Sequence, residues 1–500
     1  MISSCFIIIL ETSKTIAMHS KPIVFLFLIL LMIVNIRKVS AQINDYNSSL
    51  NNYSFDLYQE MKVEKENLFL SPLSTYYSLL MVYEGSKNKT KQEFEKVLHI
   101  KRSHSFKNRF FNDFVYNSDS SFVFNASNAI WIDKNLHVKA EFKKRVTNKY
   151  STYFKQTEFT NPLSGVSDIN EWVSERTNRK INEIVSTDNI NSDTKLLILN
   201  ATYFKGEWLN KFEKTKTGRF YTNAENQYKV DFMRKTEQLQ YYENEEYQFI
   251  SKPYKASDIS FCVILPKKLF GIGDIEKKMN NDFFDKILDN TYRTKISLSI
   301  PKFKLESSYV LNEALKNAGL KSAFSTKADF TGITKKVPLM LGQVIHKTWI
   351  EIDEEKTEAA AATAVTIMIT GGKPTSYKVF TADHPFVFII IDNRTKAIIF
   401  MGRYVEPING EKILGDKESL IYNLEDRKEK AITVGSDNRV LIIADEKIIT
   451  QAEFKAINPE NIGSLKIIKD KEQISKYTSD NYGGVIVITL KKRRKNKKNK

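Results

Sequence analysis

The residue types that usually carry catalysis are dispersed in this chain. Among 500 residues there are six histidines and two cysteines. There is no Gly-x-Ser-x-Gly elbow, no His-Glu-x-x-His and no Cys-x-x-Cys. That spacing supports neither hydrolase nor metal nor nucleotide chemistry, so no catalytic residue, cofactor or metal is expected. Cys262 lies in the apolar run SFCVILP, where burial raises a thiol pKa and hides the sulfur, so a nucleophile is not expected there either. The stretch with unusual spacing is Glu354 to Phe386. It opens with charge, passes through Ala359, Ala360, Ala361 and Ala362, becomes β-branched (Thr363, Val365, Thr366, Ile367, Ile369), and breaks at Gly371, Gly372 and Pro374. Alanines read as helix, β-branched residues as strand, and glycine with proline as loop. Thr357, Ala359, Ala361 and Thr363 share one face at a period of two, and such small side chains enter a close-packed sheet without overpacking. Two readings stay open from the residues alone: an Ala-rich helix with a loop after it, or a segment exposed in one state and a buried strand in another.

The elements that must position this stretch come from a globular chain. Hydrophobic residues make up 42% and aromatic residues 12% of it, which excludes disorder for most of its length. Its length predicts two or more folded units. The net charge is +17, but the last ten residues, KKRRKNKKNK, hold eight basic groups and no acid, leaving +9 for the rest. No nucleic-acid function is read from that balance. Lys21 precedes an apolar run from Ile23 to Val34, and Val39-Ser40-Ala41 offers a cleavage site before Gln42. This has the size of an export signal (residues 1–41), although Arg37 and Lys38 leave an uncleaved anchor open.

Further along, Pro72 just after Ser71, with Leu73, Tyr76, Tyr77 and Leu80 at helical spacing, predicts a buried helix. The block NAIWID (Asn128 to Asp133) follows, and INEWVSERTNRKINEIV (Ile169 to Val185) carries helical periodicity. TKLLILNATYFKGEWLNKF reads as a strand inside a sheet. KPYKASDISFCVILP reads as paired strands, and IPKFKLESSYVLNEALKNAGL as a strand and a helix stopped by Gly319. VIHKTWIEIDEE leads into the ambiguous stretch; HPFVFIIID and KAIIFMGRYVEP leave it as apolar strands.

Many separated motifs in the right order, from TEAAAAT and ADHPFVF to those of the earlier segments, make residues from about Ser54 to Pro407 resemble the serpins. The resemblance implies an α+β fold of three β-sheets with eight or nine helices and an exposed reactive loop, spanning residues 42–407. It implies a suicide inhibitor whose loop, once cut by a target endopeptidase, inserts into the central sheet and traps the covalent acyl-enzyme. The hinge is then Glu354, Glu355, Lys356, Thr357, Glu358, Ala359, Ala360, Ala361, Ala362 and Thr363. The reactive bond is Thr370–Gly371, with Met368, Ile369 and Lys373 as neighbours that could be cut instead. Ser71, Ser74, Asn200 and His346 match the family's polar cluster beneath the sheet, and Trp208, Lys302 and Glu354 its guard at the mouth. Lys356 stands where inhibitory members have glycine; its ammonium must stay in water, which slows insertion. Thr370 fits an elastase-type pocket, and Ile369 the pocket that papain-like cysteine peptidases read.

After Pro407 the composition changes. Residues 408–430 read as linker, residues 431–492 resemble the plug-like module of TonB-dependent receptors, which implies a small α/β fold there, and residues 493–500 are a basic tail. Asp445-Glu446-Lys447 stands where that pattern usually has Asp-Gly-Lys. The expectation is an exported bacterial monomer, extracellular, periplasmic or at the cell surface. Its partner would be a target endopeptidase, with an envelope protein possible through the C-terminal module and no nucleic acid. The alternative is a non-inhibitory serpin-fold binding or adhesion protein.

Overall fold

The computed structural model describes residues 45–100, 122–354, 377–413, 420–422, 440–445, 447–449, 454, 457, 461–468 and 484–490, apart from residues 192, 224–225, 256–257 and 409. They form two compact units: one takes in the chain up to Asn409 except residues 219–229, and the other takes those residues with Gly410 onward.

The first fourteen strands are β1 (Leu68–Leu70), β2 (Phe122–Asp133), β3 (Tyr153–Thr157), β4 (Leu196–Gly206), β5 (Lys214–Tyr221), β6 (Gln227–Glu243), β7 (Tyr247–Pro253), β8 (Ile259–Pro266), β9 (Tyr292–Pro301), β10 (Phe303–Val310), β11 (Gln343–Ile352), β12 (Lys378–Thr381), β13 (Phe386–Asp392) and β14 (Ile398–Tyr404). One five-stranded sheet has the order β10-β11-β4-β2-β3. Its central pair, β11 and β4, runs parallel, with Gln343 to Ile350 opposite Leu197 to Phe204. The other large sheet has the order β1-β14-β13-β8-β7-β6-β9-β12. β6 is seventeen residues long and pairs β9 along most of its length and β7 at its end, so the second and third expected sheets are continuous through it.

Burial follows the residue pattern. β8, β13 and β14 are buried at every position, as mostly apolar runs require, and the charged exceptions are partnered: Asp392 with Arg394 at 3.0 Å and Arg403 with Glu276 at 3.3 Å. The predicted helix after Ser71 spans Pro72–Tyr83 and is buried from Pro72 to Val82, including Ser74, Thr75 and Ser78, and it carries no charged residue. Pro72 opens it and the Ser71 hydroxyl caps it, accepting from the Ser74 N–H at 3.4 Å. Gly319 ends the helix Asn312–Ala318 at φ +120°, a conformation that favours glycine.

The helical periodicity over 169–185 resolves differently. A helix runs Pro162–Arg176, and Asn178 and Arg179 then take left-handed backbone conformations at φ 51° and 57°. The Thr177 hydroxyl accepts from the Ile181 N–H at 3.1 Å and lies 2.8 Å from the Val173 carbonyl, offering the backbone a turn in place of helix. Ile181, Ile184 and Val185 remain buried against the five-stranded sheet in the same cluster as Trp172 and Val173. Their spacing reports burial, not helix.

In the second unit, β15 (Glu411–Ile413) pairs antiparallel with Gln227–Lys229. A separate five-stranded sheet is built from β16 (Leu420–Tyr422), β17 (Val440–Ala444), β18 (Lys447–Ile449), β19 (Ile462–Ile468) and β20 (Gly484–Leu490), in the order β16-β19-β20-β17-β18. The stretch 408–430, which composition marks as linker, thus holds two short strands. Ile442, Ala444, Phe454, Ile486 and Ile488 form a small core there. Asp445 turns the β17–β18 hairpin at φ 43°, and its Oδ1 accepts from the Leu490 N–H at 2.9 Å. Aspartate tolerates that left-handed position better than most residues.

Candidate functional site

The parallel seam between β4 and β11 is bridged by a row of polar side chains. Asn128 of β2 stands opposite Asn200 of β4, Asn200 opposite His346 of β11, and His346 opposite Tyr309 of β10. His346 Nδ1 lies 2.5 Å from Asn200 Oδ1, and its Nε2 accepts the Ser71 backbone N–H at 3.0 Å. Asn200 Nδ2 donates to both the Ser74 hydroxyl and Asn128 Oδ1. Ser78 reaches Asn128 Oδ1 at 2.8 Å, and Ser71 reaches the Ile399 carbonyl at 3.0 Å. Ser71, Ser74, Asn200 and His346 have no exposed surface. The network therefore ties the start of the central helix to three strands across the seam.

The hydrogen-bond roles fix the imidazole. Nε2 faces a donor and Nδ1 faces an oxygen, so the ring is neutral with its proton on Nδ1. Burial pushes its pKa down to about 3. A second proton would set an N–H of His346 against the N–H of Ser71, breaking the link between helix and sheet.

At the upper end of the seam the C-terminal ends of β4 and β11 form a mouth. Trp208 Nε1 donates to the Asp353 carbonyl at 2.8 Å, which spans it. The indole stacks on Tyr254 with ring centroids 4.5 Å apart. Lys302 Nζ lies 2.9 and 2.7 Å from the two carboxylate oxygens of Glu354. Burial pushes the Glu354 carboxyl up, but its bonds to Lys302 outweigh that and hold it below the usual range. Beneath the indole, Lys252 and Glu237 form an ion pair with side chains 0% and 5% exposed. Lys252 also donates to the Asn210 carbonyl at 2.8 Å, and its ammonium sits 5.3 Å from the Trp208 ring centroid and 4.7 Å from that of Phe212. Burial lowers the Lys252 pKa despite Glu237.

A seam closed by side-chain hydrogen bonds, with a lid at the end from which the ambiguous stretch departs, invites comparison with known proteins. The profile of the family described as "Serpin (serine protease inhibitor)" matches residues 48–407. The chain belongs to the serpin family. An uncharacterised serpin-like protein of Thermococcus kodakarensis is 35% identical over 373 residues, covering 73% of this chain and 86% of that protein. The leukocyte elastase inhibitor of Xenopus laevis is 34% identical over 376 residues, covering 72% and 99%. Among solved structures, the thermophilic serpin tengpin in its native state superposes with a TM-score of 0.65 at 30% identity, over 72% of this chain and 93% of that one. Serpins as a family are protease inhibitors rather than enzymes, and inhibitory members stand among these relatives.

Within this serpin, Ser71, Ser74, Asn200 and His346 come together under the seam, and Trp208, Lys302 and Glu354 at its mouth. Glu355, Lys356, Thr357, Glu358, Ala359, Ala360, Ala361, Ala362, Thr363, Met368, Ile369, Thr370, Gly371 and Lys373 lie outside the described residues, as does the segment 1–41. Cys262 is buried with no disulfide, and burial pushes its thiol up to about 12, which leaves it inert as a nucleophile. Among the described residues no group of three or more His, Cys, Asp or Glu side chains could hold a metal ion.

Sequence reading missed three participants. Asn128 opens the block NAIWID and completes the polar row; a polar residue inside the strand FVFNASNAIWID was its only signal. Lys252 and Glu237 are fifteen positions apart in ordinary-looking strands, and nothing in composition marks a lysine destined for full burial.

Proposed function

We propose that this serpin is an exported suicide-substrate inhibitor of serine endopeptidases of elastase type or of papain-like cysteine endopeptidases. The observation that carries the reading is the parallel pairing of β4 with β11, closed along eight residue pairs and bridged at its mouth by the Trp208–Asp353 hydrogen bond. A chain leaving the C-terminal end of β11 and folding back runs antiparallel to β11, and because β4 is parallel to β11 it runs antiparallel to β4 too. One parallel ladder is then replaced by two antiparallel ones, the better-bonded arrangement, and the small side chains of Thr357, Ala359, Ala361 and Thr363 enter without overpacking.

The peptidase supplies the chemistry. Its nucleophile attacks the Thr370–Gly371 bond, the new amino terminus at Gly371 leaves, and the acyl-enzyme remains attached through Thr370. Insertion of the hinge carries the acyl-enzyme along the sheet and distorts its oxyanion site before water completes hydrolysis. The polar row under the seam holds the sheet shut until then, and Trp208 with the Lys302–Glu354 pair guards the mouth. The chain reaches its target by export on residues 1–41, and the C-terminal module docks an envelope protein of a bacterial cell, in keeping with its resemblance to a TonB-dependent receptor plug.

Incubation with an elastase and a papain-like peptidase, read on denaturing gels and by intact mass, tests this. A stable covalent adduct with a released peptide beginning near Gly371 is expected. Clean cleavage without adduct across a broad panel of peptidases would move the assignment to a non-inhibitory serpin-fold binding protein.

A further inference from the structure

The strand that receives the far end of the reactive loop lies at a sheet edge, and the sheet face beside it has a charge pattern that the inhibitor reading does not use. β12 pairs parallel with β9, and β9 pairs antiparallel with β6. Opposed residues share a face, so the even positions of β6 from Arg234 to Gln240 lie with the odd positions of β9 and β12. Glu237, Leu239, Tyr241, Ile296, Leu298 and Phe380, on the other face, are buried. On the first face Arg234, Arg293 and Lys295 are exposed. None of the three appears in an ion pair among the described residues, and no carboxylate occupies that face of the three strands over these rows. Between the cations stand neutral side chains, Thr236, Gln238, Gln240 and Ser297. At the β12 edge Val379 is 58% exposed, and Tyr377, which follows Lys373 of the reactive loop by four positions, is 51% exposed.

Three cations that form no ion pair among the described residues, beside two exposed apolar side chains that follow the reactive loop in sequence, form a surface for one kind of partner. We infer that this face is a secondary docking site for the target endopeptidase, and that the target carries an acidic rim next to its substrate cleft. This rests on the inhibitor reading and deepens it: the loop sets which bond is cut, and the basic face selects among peptidases sharing that preference by speeding encounter with the acidic ones. Val379 and Tyr377 supply the apolar contact that a purely electrostatic encounter lacks.

The test uses the full chain, two elastase-type peptidases of opposite net charge, and the variant Arg234→Glu/Lys295→Glu, both positions being exposed. With the net-negative peptidase, the wild-type association rate should fall on the order of tenfold as salt rises from about 50 to about 500 mM. The variant should be at least about tenfold slower at low salt, with a flattened salt dependence. With the net-positive peptidase the variant should be no slower, and adduct per cleavage should be unchanged with both. Equal rates and salt slopes for wild type and variant with the net-negative peptidase would overturn the proposal. If neither peptidase gives an adduct, the inhibitor reading fails separately. The docking site is then judged on binding of a net-negative peptidase whose nucleophile is replaced by alanine: binding weakened by the variant sustains it, and unchanged binding overturns it. Loss of heparin retention in the variant without any change in peptidase rates would assign the face to a polyanion and also overturn it.

Discussion

Acidification should loosen the sheet through one residue, His346. In the folded protein its imidazole is buried, accepts the Ser71 N–H and stays neutral down to about pH 3. In the unfolded chain the ordinary value of 6.5 applies. Between those values the unfolded state binds more protons than the native state, so stability rises with pH and is lost as pH falls. The contribution is fully present above about pH 6.5 and declines toward pH 3 at up to about 1.4 kcal/mol per pH unit. Between pH 7 and pH 4 the loss from this group is about 3 kcal/mol, a large part of an ordinary margin of stability. His346→Gln removes the titration while keeping an acceptor within reach of Ser71. Urea unfolding midpoints from pH 7 to pH 4 should therefore diverge, the wild type losing about 3 kcal/mol more than the variant. Parallel pH profiles would refute the assignment of the acid sensitivity to His346 and with it the role given to the buried polar row.

Other perturbations separate the parts of the mouth. Lys252→Met strands Glu237 in a site where it is 5% exposed and should cost about 3–5 kcal/mol in chemical denaturation, with much of it recovered in Lys252→Met/Glu237→Leu. Lys302→Ala breaks a pair whose side chains are 37% and 29% exposed; it should change stability by no more than about 1 kcal/mol while hastening spontaneous loss of inhibitory activity at 37 °C, since only the guard is removed. Lys356→Gly should raise the fraction of cleavage events that end in adduct, because glycine turns without having to hold an ammonium in water; an unchanged fraction would show that this position does not limit insertion.

Much of this architecture was legible because local and tertiary demands coincide. Short, mostly apolar runs rich in β-branched and aromatic residues, as in β8 and β13, read as interior strands, and Pro72 just after Ser71 reads as a helix start. The pattern misled where one periodicity served two structures: Ile181, Ile184 and Val185 continue the spacing of the helix before them, yet Thr177 and the left-handed Asn178 and Arg179 end it, and the three apolar residues are buried from an irregular segment. The continuity of two sheets through β6 was not legible, since strand pairing is a property of register between distant segments. The site divides similarly. Ser71, Ser74, Asn200 and His346 were found through family likeness, because a polar residue in an apolar helix or strand says that it has partners without saying which. Lys252 and Glu237 were missed because their burial depends on Trp208 and Phe212 closing over them, and no spacing along the chain encodes that.

The central claim is that the seam between β4 and β11 must open for a cut loop to trap its peptidase. Ala201 and Lys347 face each other across that seam, and neighbouring strands lie about 4.8 Å apart, within the Cα separations a disulfide spans. Cys262, buried and inert, need not be changed. We would measure the fraction of Ala201→Cys/Lys347→Cys protein converted to covalent adduct by an elastase-type peptidase, oxidised and then reduced. The account predicts cleavage without adduct while the bridge is closed and recovery of adduct on reduction. Equal adduct yields in both states would show that trapping does not pass through this seam and would contradict it.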